Sequence, residues 1–128
     1  MAETPLTPPE ADKTSTGLEP NTAALFCYLF NWVTGMIFLL IEKDNKYVRF
    51  HAMQSILFGV AVILIGIVLF ALSRILYLIP FLGGIMTSIL YFAYWIGSMV
   101  LYIVLMVKAY QGEMYKLPVI GDIAERNI

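Results

Sequence analysis

Three long apolar stretches decide which solvent this chain folds in. Residues 21–41 carry no charge, residues 48–72 carry only Arg49, and residues 75–107 carry only Arg-free, Lys-free and acid-free sequence. A membrane-spanning helix needs roughly 20 consecutive, mostly apolar residues. The chain is 60% hydrophobic and 13% charged, whereas soluble domains are about a quarter charged. A water-soluble domain of 128 residues could not hide so much apolar surface. The expected class is an all-α integral membrane protein.

Three spans are expected, at 21–41, 48–72 and 85–107. Pro20 and Asn21 start the first, and the charged EKDNK stops it. In the third stretch Pro80, Gly83 and Gly84 interrupt the pattern. Two full crossings plus a turn would need about 40 residues, so 75–84 reads as a short interfacial connector, with a re-entrant hairpin as the alternative. Residues 1–20, rich in Pro, Thr and Glu, lack an apolar cluster and read as a disordered acidic tail. Residues 111–128 form a second tail, in which Leu117, Ile120 and Ile123 have the spacing of a short surface helix; a flexible tail fits equally well.

Three spans put Lys43, Lys46 and Arg49 on the same side as Lys108, Lys116 and Arg126, with Lys13 and Arg74 opposite. Cytoplasmic loops carry the Lys and Arg excess. The expected topology is therefore N-terminus outside and C-terminus cytoplasmic.

Composition also excludes functions. The net charge of −1 and the scattered basic residues leave no footprint for nucleic acid. One cysteine, Cys27, and one histidine, His51, cannot make an intrachain disulfide or a Cys/His metal cage. No cofactor is expected. The spans hold no Asp, Glu, Lys or Arg pair of the kind that proton relays use. Their polar and small residues read first as helix-packing groups: Asn31, Thr34 and Gly35 in span one, Ser55, Gly59 and Gly66 in span two, Ser98 in span three.

The polar stretch EKDNKYVRFHAMQS, 42–55, joins spans one and two. Its first half reads as a solvated turn, with Asp44 or Asn45 capping the next helix and Arg49 placed to snorkel toward phosphate head groups. In its second half His51, Gln54 and Ser55 enter the span, where polarity must be wet or paired. Together with VKAYQGEMYKLPVIGDIAE near the C-terminus, IEKDNKYVRFHAMQS resembles the paired signature of a prokaryotic family of small membrane proteins. That family is likened to the twenty-kilodalton subunit of the chloroplast inner-envelope import translocon. The residues carrying the resemblance are Glu42, Lys43, Asp44, Arg49, Phe50, His51, Gln54, Lys108, Tyr110, Gln111 and Gly112. It implies a prokaryotic plasma-membrane location and no catalytic residues. Its plastid relatives are four-span proteins that contribute to a protein-conducting channel, against the three spans read here.

The two motifs share one membrane side, so Arg49, His51, Gln54, Lys108 and Gln111 are expected to form an interfacial polar cluster locking span two to span three. The expected function is that of a non-enzymatic membrane protein acting through helix-mediated assembly, with lipid and a second copy or another membrane protein as partners. The alternative is a translocon-like or pore-forming component. A lipid-modifying activity using His51 is a third class.

Overall fold

The backbone turns back on itself at Phe30 and Asn31, in the middle of the first apolar stretch. The computed structural model describes residues 14–127, and most of the tail expected to be disordered lies outside that range. Among the described residues the regular elements are helices: α1 (Pro20–Leu29), α2 (Trp32–Ile41), α3 (Lys46–Leu76), α4 (Leu82–Tyr110) and α5 (Ile120–Arg126).

The break between α1 and α2 sits at Asn31, whose φ is 57° and ψ −131°. Thr34 satisfies the backbone there: its Oγ1 accepts from the Phe30 N–H at 3.1 Å and lies 3.2 Å from the Cys27 carbonyl. Ser55 Oγ donates to the Asn31 carbonyl at 2.8 Å. Polar backbone freed by a break must find such partners in lipid. Asn31 therefore acts through its main chain at a turn, rather than through its amide at the middle of a helix. Its Oδ1 is buried without a hydrogen bond.

The structure departs here from the single first span that was expected: the stretch is two helices. Each half of the first stretch has ten residues, about 15 Å of helix, and neither crosses a hydrocarbon core of roughly 30 Å. Both ends of the pair lie at one end of the molecule. Asn21 Nδ2, entering α1, donates to the Tyr110 carbonyl at the close of α4 at 2.7 Å. Ser15, upstream of α1, bonds Glu42, downstream of α2. The turn lies deeper, where Tyr102 Oη donates to the Leu29 carbonyl and Trp32 packs on Gly59. So α1 and α2 form a helical hairpin entered and left from the same end. Residues 14–19 lie beside 42–46, not beside Arg74.

Close packing holds this hairpin on α3. A Cβ on Gly35 would stand 2.9 Å from the Ala52 carbonyl oxygen and 3.0 Å from Ser55, and one on Gly59 would meet Trp32 at 2.8 Å. Gly35, Ser55 and Gly59 are thus the small residues that let α2 and α3 approach.

Helices α3 and α4 have 31 and 29 residues, about 46 and 43 Å, and both are long and apolar enough to cross a membrane. Their connection is tighter than the expected 75–84 connector. Helix α3 runs on to Leu76 and α4 begins at Leu82, leaving a five-residue turn around Pro80 with Phe81 at φ 69°.

Burial divides the molecule in two. The fully buried large side chains, among them Tyr28, Tyr47, Phe50, His51, Gln54 and Leu105, all lie in the hairpin half. Beyond the hairpin, among the described residues, α3 and α4 pack on each other: Tyr94 Oη donates to the Val62 carbonyl at 2.7 Å, and a Cβ on Gly66 would stand 2.8 Å from the same hydroxyl. There the outward faces are bare, with Val68 65% and Phe92 70% exposed.

Candidate functional site

The hairpin end carries a buried polar network centred on the first turns of α3. Asn45 caps that helix, its side chain accepting from the Val48 N–H at 3.0 Å. This fixes the rotation that turns Tyr47, His51 and Gln54 inward, at the i, i+4 and i+7 positions of one face.

His51 is fully buried and ringed by Tyr28, Tyr47 and Phe50, with centroids 5.5, 4.8 and 5.2 Å away in edge-to-face geometry. Its Nε2 lies 2.9 Å from the Glu113 carbonyl and its Nδ1 2.8 Å from Tyr28 Oη. A carbonyl only accepts, so the proton sits on Nε2 and Nδ1 accepts from the tyrosine. Gln54 completes the set. Its Nε2 donates to Tyr28 Oη at 3.0 Å and to the Tyr115 carbonyl at 2.9 Å, while its Oε1 accepts from the Leu117 N–H at 3.0 Å. Tyr47 Oη donates to the Ala109 carbonyl at 2.5 Å.

Apart from their shared bonds to Tyr28, His51 and Gln54 grip backbone. The gripped segment, 113–117, is delivered by the end of α4. Gly112 at φ 84° lets the Glu113 N–H reach the Lys108 carbonyl at 3.1 Å and the Gly112 N–H reach Ala109 at 3.2 Å, a Schellman close that glycine makes without steric cost. Beyond it, Lys116 pairs with Glu125 of α5 at 2.7 Å and with Asp122 at 3.7 Å. The Glu125 hydrogen bond holds the Lys116 ammonium above its usual pKa.

A second knot lies beside the first. Glu42 is fully buried, and its carboxylate accepts from the Ser15 N–H at 3.0 Å, Ser15 Oγ at 3.1 Å, the Asp44 N–H at 3.2 Å and the Asn45 N–H at 3.0 Å. Four donors replace the water such a group would otherwise need. Arg49 Nη1 donates to the carbonyls of Leu39 and Glu42 at 3.0 and 2.7 Å, capping the end of α2. It does not reach outward as a snorkelling group.

The expected five-residue cluster is therefore assembled only in part. His51 and Gln54 share one network, and Arg49 joins the Glu42 knot. Lys108 pairs with Glu113 at 3.5 Å and stands 6.0 Å from the Tyr115 ring. Gln111 is exposed at the C-cap of α4. Neither enters the buried network. Tyr28, Tyr47, Glu42 and Ser15 escaped the sequence reading. Tyr28 had a signal, a hydroxyl inside an apolar run, which needs a partner in lipid. Ser98 lines a lateral depression of about 350 Å³ with Phe30, Asn31, Phe58 and Tyr102.

Two long lipid-compatible helices, a short helical hairpin and an interior polar lock define a helical membrane protein. The chain belongs to the MamF/MmsF family, described as the magnetosome magnetite crystal formation protein family, whose profile matches residues 18–124. It is 48% identical over 115 residues to a UPF0132 membrane protein of Methanocaldococcus jannaschii, covering 89% of this chain and 93% of the relative. A second UPF0132 membrane protein of that organism is 43% identical over 110 residues, 86% of this chain and 71% of its own length. One from Archaeoglobus fulgidus is 37% identical over 111 residues, covering 87% and 97%. No solved structure matches. These names carry a membrane-protein family and are silent on protein import.

Proposed function

We propose that the protein is a non-enzymatic component of the prokaryotic plasma membrane that works by helix-mediated assembly. Helices α3 and α4 span the bilayer, and the α1–α2 hairpin is re-entrant from the cytoplasmic side. Among the described residues Lys43, Lys46, Arg49, Lys108, Lys116 and Arg126 belong to the hairpin end and Arg74 to the other. The Lys and Arg bias then makes the hairpin end cytoplasmic, with Ser15 and the C-terminal segment on that side.

The observation that carries this reading is the contrast between the two halves. At the hairpin end the polar groups are spent on internal bonds, and both ring nitrogens of His51 are engaged. This argues for a structural part over a reaction centre. From the level of the hairpin tip outward, α3 and α4 offer packing surface. Ala93 and Gly97, four residues apart on α4, are both exposed, and a Cβ on Gly97 would meet nothing within 4 Å. Such small-xxx-small pairs let a second helix approach closely in lipid, and a second copy of the chain is the partner proposed. The family description speaks of magnetite crystals. Among the described residues no group of three His, Cys, Asp or Glu stands together to hold a metal ion, so the proposal runs through the membrane.

Cross-linking tests it. In a Cys27→Ala background, Gly97→Cys should give a disulfide-linked dimer in native membranes under mild oxidation, and Val68→Cys on α3 should give much less. Equal or absent cross-linking at both positions contradicts assembly through this face.

A further inference from the structure

We infer that the protein is a wedge that favours curvature with its cytoplasmic face convex. This rests on the topology just proposed and gives it a mechanical consequence. At the hairpin level four helices cross each plane of the bilayer; beyond Val62 and Trp95 only α3 and α4 remain. A helix with its side chains is about 10–12 Å across, so two extra helices add roughly 200 Å² to one leaflet alone. The hairpin is about 15 Å deep, close to half of a hydrocarbon core of roughly 30 Å. Its insertion therefore displaces lipid in the cytoplasmic leaflet and hardly at all in the other.

Three further features act in the same direction. The C-terminal segment returns to the wide end, where His51 and Gln54 hold it. That segment exposes Tyr115 and Val119, which adds apolar surface at head-group depth, the kind of insertion that is sensitive to curvature. The hairpin is also fixed, not floating: Gly35 and Gly59 key it to α3, and Tyr102 of α4 bonds its tip. A rigid inclusion transmits its cross-section to the lipid, because a packed core does not deform to relieve the mismatch. At the narrow end no described element fills the space beside α3 and α4.

The test is reconstitution of the full chain into phosphatidylcholine–phosphatidylglycerol vesicles, either small and sonicated or large and extruded. A membrane-impermeant maleimide reports on Lys43→Cys at the wide end or Leu78→Cys at the narrow end, each in a Cys27→Ala background. Charge biases orientation equally in both vesicle sizes; only shape couples orientation to size. The ratio of outward-facing to inward-facing Lys43→Cys should rise roughly threefold from large to small vesicles, the population shift of a state with modest differential affinity. Leu78→Cys should shift reciprocally. A ratio that does not change with vesicle size overturns the wedge. Failure of the topology itself looks different: Glu19→Cys and Lys43→Cys would then be labelled on opposite faces of the same vesicles.

Discussion

Gln54→Leu is expected to release the C-terminal segment and destabilise the folded protein by about 3 kcal/mol, because leaving buried backbone groups unpaired costs roughly 1–3 kcal/mol each. Leucine keeps the volume but removes three bonds at once. The Leu117 N–H loses its acceptor, the Tyr115 carbonyl loses its donor, and Tyr28 Oη loses the amide that orients its proton toward His51. The change should appear in two measurements on detergent-purified protein. Thermal unfolding followed by circular dichroism should shift down, and limited proteolysis should cut between Glu113 and Val119 much earlier than in the wild type. If both are unchanged, His51 and Gln54 do not lock the structure.

A change of similar size is expected from a single methyl group at the far end. Gly83→Ala would place a Cβ 1.9 Å from the Leu76 carbonyl oxygen and 3.2 Å from the Tyr77 Cα. Both are backbone, so no side chain can swing aside. The five-residue turn has little slack, being tied by Tyr77 N–H to Ser73, Ile79 N–H to Leu76 and Gly83 N–H to Ile79. Overpacking of this kind costs about 3 kcal/mol. The comparison is Gly84→Ala, where the added methyl meets only the edge of the Tyr77 ring at 3.8 Å, an ordinary contact. Unfolding temperatures in detergent should fall for Gly83→Ala and stay near the wild type for Gly84→Ala.

The helical membrane class was legible because run length and charge absence are properties of sequence alone. So were a cap at Asp44 or Asn45, the need of His51, Gln54 and Ser55 for water or a partner, and the close approach at Gly59. The hairpin was not. A charge-free run of residues 21–41 has the length of one span, yet it serves equally as two half-depth helices. No Pro or Gly marks the break; it depends on positive φ at Asn31 and on Thr34 bonding backward to Phe30. The partners of His51 and Gln54 were hidden for another reason. They are main-chain groups of 113–117, and side-chain patterns do not show where backbone returns. Gly112 was the visible clue, as the glycine that closes α4 and sends the chain back. Glu42 was read as a solvated charge because its donors are backbone amides and a serine far away in sequence.

The central claim is that residues on either side of the hairpin share one membrane face. In cells or inverted vesicles, with Cys27→Ala as background, single cysteines at Glu19, Lys43 and Leu78 can be probed with an impermeant maleimide. Glu19→Cys and Lys43→Cys should be labelled from the cytoplasmic face and Leu78→Cys from the opposite face. Labelling of Glu19→Cys from outside while Lys43→Cys is labelled from the cytoplasm would make residues 21–41 a crossing and contradict that claim.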